Sequence, residues 1–171
     1  MRSLKVTLAA LAAISLLAAC ENPGSENGAM GGSGGSGSES GSFGMNADGS
    51  ITPGTQADLE ANVGDRVFFE TDSSVIDSEA QATLERQASW LRQYGSVNVV
   101  VEGHCDERGT REYNLGLGER RANAAKNYLV GLGISPSRVS TISYGKERPS
   151  VLGHDESAWS QNRRSVTVVV N

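Results

Sequence analysis

The chain has 171 residues and a formal net charge of −5, long enough for one ordinary domain with extra segments attached. Beyond residue 19, which leaves out Arg2 and Lys5, 13 Lys and Arg stand against 20 Asp and Glu. That acidic balance gives no sign of the basic face a nucleic-acid partner requires.

Met1 to Lys5 is a short positive segment, and Val6 to Leu17 is an apolar run of signal-peptide length. The run is shorter than the roughly 20 apolar residues a spanning helix needs. It ends Leu17-Ala18-Ala19-Cys20, which resembles a bacterial lipobox. That resemblance implies a signal peptide over 1–19 and lipidation of Cys20. Glu21 rather than Asp follows the cysteine, which by the same resemblance favours release to the outer membrane.

From Glu21 to Asp58 the chain is Gly, Ser, Asn and acids, with no Lys or Arg and few large apolar groups. Such a composition cannot bury enough surface to offset the entropy of ordering, so residues 20–59 are expected to form a disordered tether. A flexible chain of that length spans roughly 30–37 Å. The tract also separates Cys20 from Cys105, the other cysteine, which argues against a disulfide between them.

Residues 60–171 are expected to fold. Arg66 to Thr71 is rich in aromatic and β-branched residues and predicts a first strand. Ser78-Glu79-Ala80-Gln81 has the form of a capping box opening a helix to about Tyr94, with Ala80, Leu84, Ala88 and Leu91 on its core face. Val97 to Val101 is nearly all valine and predicts a strand buried on both faces. A second helix is expected from Thr110–Asn114 to Val130, then strands at Val139–Tyr144 and Ser165–Val170. Successive strand–helix–strand units imply right-handed crossovers. The expectation is an α/β two-layer sandwich, βαβαββ, with a mixed four-stranded sheet and two main helices on one face.

Glu102 to Arg121, EGHCDERGTREYNLGLGERR, crowds charge into one strand-to-helix connection, a usual place for ligand sites in α/β proteins. On a helix, Asn114, Leu117 and Arg121 share a face, and Arg121 has no acid three or four residues away. Its guanidinium needs water, an acid from elsewhere, or a ligand. Pairing with Asp106, or simple exposure of both, is the plain structural alternative.

Glu102 to Thr110, Asn114 to Ala122, Ser143 to Pro149 and Gln161 to Arg164 together resemble the signature of the OmpA-like peptidoglycan-binding domain family. The resemblance runs from about Val63 to Asn171. It implies non-covalent binding of the meso-diaminopimelate in the peptidoglycan stem, with Asp106 and Arg121 as the two binding charges and Asn114 and Leu117 as pocket wall. Asp72 matches an acid at the pocket border, although Glu70 and Thr71 depart from the family pattern. The family also binds a TolB-like periplasmic β-propeller. The whole would then be a lipid-anchored outer-membrane protein with its domain in the periplasm, holding no cofactor and catalysing nothing.

Two other readings arise from the same stretch. His104, Cys105 and Asp106, with His154, are metal-ligating residue types, but three adjacent side chains at a strand end cannot easily wrap one ion. A Cys/His cell-wall hydrolase meets the same obstacle, because neighbouring side chains on a strand point to opposite faces. Cys105, Trp90 and Trp159 are expected to pack, Trp159 from a loop where it could also meet a partner.

Overall fold

The structure is a computed structural model that describes Gly44, Asn46 and residues 49–170. The leader, Cys20 and most of the expected tether lie outside the described residues. Four strands form one sheet: β1 (Arg66–Phe68), β2 (Asn98–His104), β3 (Val139–Gly145) and β4 (Arg164–Val170). Their spatial order is β1-β4-β2-β3, with β4 antiparallel to both neighbours and β2 parallel to β3. The helices are α1 (Gln56–Asp58, continuing as a π-helical turn over Leu59–Val63), α2 (Ser78–Gln93), α3 (Arg111–Gly131) and α4 (Glu156–Asn162). This is the mixed α/β architecture expected, with β4 inserted between β1 and β2.

Ala80, Leu84, Ala88 and Leu91 of α2 are buried, as the helical spacing requires, against Val99, Val101, Ala122, Ala125 and Leu129. The cap of α2 is one residue earlier than the capping box suggests. Asp77 accepts from the Ala80 amide at 2.8 Å, while Gln81 turns back to the Ile76 carbonyl. Thr110 caps α3 by accepting from the Tyr113 amide at 3.2 Å.

Strand β2 corrects an expectation. Val99 and Val101 are buried, but Val100 and Glu102 are only half-buried. Both long helices cover the same face, so the valine run meets a core on one side only. Strand β1 is also shorter than expected and ends at Phe68, because the chain turns away through Glu70 to Ser73, where Asp72 takes a φ of 54°.

The folded region begins earlier than Glu60. Thr55 caps α1, and the Gln56 amide side chain accepts from the Val169 backbone N–H at 2.8 Å. Asp58 accepts from the Gly54 amide, the Asn62 side chain and the Trp90 indole, all within 2.7–2.8 Å. Burial works against its charge, yet these three donors outweigh it and hold the carboxyl below the usual aspartate range. Composition gave the 20–59 segment no core to bury. The anchors at its end are polar bonds, together with Leu59, its last residue, which is fully buried.

Helix α3 lies on β2 at unusually close range, through two glycines. A Cβ on Gly103 would stand 1.8 Å from the Gly118 carbonyl oxygen, and one on Gly118 would stand 2.4 Å from Ser143 Oγ. This backbone contact fixes how far α3 stands from the loop after β2.

Candidate functional site

At the end of β2 the register with β3 shifts between Gly103 and His104, and Cys105 N–H bonds to the Gly145 carbonyl at 2.8 Å. The loop from Asp106 to Thr110 is then tied on both sides. Asn114 Nδ2 donates to the Arg108 and Thr110 carbonyls at 2.7 and 3.1 Å. Lys146 Nζ donates to those of Glu107 and Gly109 at 3.1 and 2.7 Å. Every carbonyl from Glu107 to Thr110 therefore has a donor, and the loop is preorganised.

Between this loop, the N-terminal half of α3 and the turn after β1 lies a cavity of about 270 Å³. Its lining includes Asp72, Asp106, Asn114, Leu117 and Arg121, together with Arg108. The structure thus brings all five expected site residues to one cavity.

Their pairing differs from either sequence alternative. Arg121 is 0% exposed and bonds neither water-facing surface nor Asp106. Instead Nε donates to the Ser73 carbonyl at 2.8 Å, Nη1 to His104 at 2.8 Å and Nη2 to Glu70 at 3.1 Å. Phe69 lies under the guanidinium, 5.2 Å away. Burial lowers its pKa, though a guanidinium stays charged through any such shift. Among the described residues no carboxylate forms an ion pair with it, so a buried positive charge backs the cavity wall without a touching counter-ion.

Asp106 pairs with two other arginines. Arg108 gives its backbone N–H and Nε to Oδ1 at 3.0 and 3.1 Å and Nη2 to Oδ2 at 2.6 Å. Arg163 Nη1 stands 3.6 Å from Oδ2. Burial disfavours the Asp106 charge, but the bonds from Arg108 and the charges of both arginines win and hold the carboxyl below its usual range. Asp72 accepts from the Tyr113 hydroxyl, which ties the β1–α2 turn to α3.

Sequence reasoning missed Arg108, Arg163, Tyr113 and α4. Helix α4 has a legible start, since Asp155 accepts from the Ala158 amide at 3.0 Å, and it moves Trp159 from a loop onto a helix. There the indole donates to Glu107 Oε1 at 3.0 Å and Arg108 stacks on its ring at 4.2 Å. Arg163 follows α4, donating Nε to the Phe69 carbonyl at 3.0 Å and Nη2 to Glu156 at 2.6 Å.

His104 and Cys105 part company. The His104 ring stacks near Tyr144 at 5.6 Å, and burial, reinforced by the charge of Arg164, lowers its pKa to about 4. Cys105 lines the cavity, donating Sγ–H to the Asn114 carbonyl at 3.4 Å, and burial pushes its thiol pKa up. The thiol is thus held protonated, away from an imidazole base.

Residues 68–163 match the OmpA family model, and the chain belongs to the OmpA family. Within that class it is similar to peptidoglycan-associated lipoproteins from several bacteria. It is 59% identical to the one from Mesorhizobium japonicum over 127 residues, covering 74% of this chain and 76% of the relative. With that of Pseudomonas aeruginosa it shares 46% over 160 residues, 91% of this chain and 92% of the relative. The crystal structure of the peptidoglycan-associated lipoprotein from Burkholderia pseudomallei superposes with a TM-score of 0.60 at 40% identity, covering 62% of this chain and 90% of that one. The C-terminal domain of Helicobacter pylori MotB gives 0.59 at 23% identity, covering 63% and 84%. That second likeness speaks to the fold alone.

Proposed function

We propose that this chain binds peptidoglycan without cleaving it, by taking the free end of a diaminopimelate residue into the cavity between Asp106 and Arg121. One observation carries the reading: the cavity wall holds an ionised carboxylate and a buried guanidinium that do not pair with each other. The far end of diaminopimelate is a zwitterion, whose ammonium suits a carboxylate and whose carboxylate suits an arginine. Asn114 holds the loop, Leu117 supplies apolar wall, and Asp72 adds a second acid at the rim.

The rest of the reading rests on the lipobox and family resemblances in the sequence, and the relatives' name, peptidoglycan-associated lipoprotein, supports its coarser part. Residues 1–19 act as a lipoprotein signal peptide, lipidated Cys20 anchors the chain in the outer membrane, and the Gly/Ser tract lets the domain reach the wall. Two or more acyl chains on that cysteine would hold firmly where one holds marginally. The chain then links outer membrane to wall within the Tol–Pal system, with a TolB-like propeller as second partner and roles in envelope integrity and cell division.

A labelled muropeptide incubated with the protein tests the class of activity. Retention of intact muropeptide on the protein is expected, and Asp106→Asn should retain much less. Release of cleaved fragments would place the protein among wall hydrolases instead.

A further inference from the structure

The ligand-facing carboxylate is not vacant. Arg108 fills it, with Nη2 2.6 Å from Asp106 Oδ2 and Nε 3.1 Å from Oδ1. The same Nη2 stands 3.3 Å from Thr71 Oγ1, so the side chain bridges the cavity from the β2–α3 loop to the turn after β1. An ammonium group entering to meet Asp106 finds those lone pairs in use.

We propose that Arg108 is an internal stand-in for the ligand's ammonium, one that must leave Asp106 as a cationic ligand enters and so holds down the affinity for such ligands. This rests on the zwitterion reading of the cavity and adds a competitor to it. Two features make the exchange workable. The first is a place for Arg108 to remain: its guanidinium already lies over the Trp159 ring at 4.2 Å, and Glu107 fixes that indole. Cation–π contact there does not depend on Asp106.

The second is a reserve partner for Asp106. Arg163 Nη1 is buried with no hydrogen-bond acceptor among the described residues, and it faces Asp106 Oδ2 from 3.6 Å. Its other nitrogens are held by Phe69 and Glu156. Asp106 also keeps the Arg108 backbone N–H at 3.0 Å. When the Arg108 side chain leaves, the carboxylate is still ionised and still aimed, and the incoming ammonium restores the charge that departs. A ligand without that cation has no charge to offer Asp106 and leaves the Arg108 pair in place.

The Arg108 side chain is 39% exposed, against 9% for that of Asp106. An ion pair with one partner this open contributes little, so removing the competitor should tighten binding only about two- to fivefold. The full chain in detergent is titrated with the tripeptide L-Ala–γ-D-Glu–meso-diaminopimelate, and with the same peptide acetylated on its side-chain amine. Arg108→Gln should bind the free-amine peptide about two- to fivefold tighter than wild type and show no gain with the acetylated one. In wild type, the Arg108 Nε–H resonance should shift on saturation with the free-amine peptide, a readout that needs no variant. Wild-type binding with no gain in Arg108→Gln, or an unmoved Arg108 resonance, overturns the role given to Arg108 alone. Failure of wild type to bind either peptide overturns the zwitterion reading, and this inference with it.

Discussion

Gly103→Ala is expected to cost about 3 kcal/mol or more of folding stability, although it adds a single methyl group. The new Cβ would stand 1.8 Å from the Gly118 carbonyl oxygen and 2.5 Å from its carbon. Both atoms belong to the backbone of α3, so no side chain can swing aside. The helix must lift from β2, which breaks the packing of Ala122 and Ala125 on Val99 and Val101 in the same core. Urea unfolding should show a lower midpoint with an unchanged slope, since the surface exposed on unfolding stays the same. The cavity should suffer too, because Asn114, Leu117 and Arg121 all ride on α3. A loss below about 1 kcal/mol would mean the helix and strand are less tightly coupled than their geometry implies.

Arg121→Lys is the second large effect, and it falls on stability before it falls on binding. The guanidinium donates to carbonyls of Glu70, Ser73 and His104, joining the turn after β1 to the end of β2. A lysine keeps the charge but cannot span three acceptors in a plane. Buried carbonyls left without donors cost about 1–3 kcal/mol each where water cannot reach them, so a net loss of about 3 kcal/mol is expected after relaxation. Arg120→Lys, on the exposed side of α3, should stay within about 0.5 kcal/mol of wild type. Thermal melts of the two variants make the comparison. Equal melting temperatures would contradict the bracing role.

The location of the site was legible before the structure because it depends on local patterns. A strand, a charged loop and a capped helix follow directly from Val97 to Val130, and helical spacing alone puts Asn114, Leu117 and Arg121 together. Who pairs with whom was not legible. Arg121 looked unpartnered because its partners are backbone carbonyls, which carry no letter in the sequence. Asp106 finds Arg108 two residues on, a pair invisible to helix-spacing rules, and Arg163 from the far end of the domain. The start of the fold was obscured for a related reason. Asp58 reads as one more acid in a polar tract, yet the Trp90 indole 32 residues away binds it at 2.8 Å. The half-open β2 shows the limit of composition, since consecutive valines state what a strand can bury and not what stands opposite.

Because Arg121 serves the fold, substituting it confounds ligand binding with bracing. The decisive measurement leaves the protein intact and changes the ligand. Wild-type protein is titrated calorimetrically with the diaminopimelate stem tripeptide, once with its side-chain carboxylate free and once with that group amidated. If Asp106 and Arg121 form the two poles of a zwitterion site, amidation removes the charge facing the guanidinium and should weaken binding about tenfold or more. Affinities equal within about twofold would show that the buried charge of Arg121 supports the fold and does not hold the ligand.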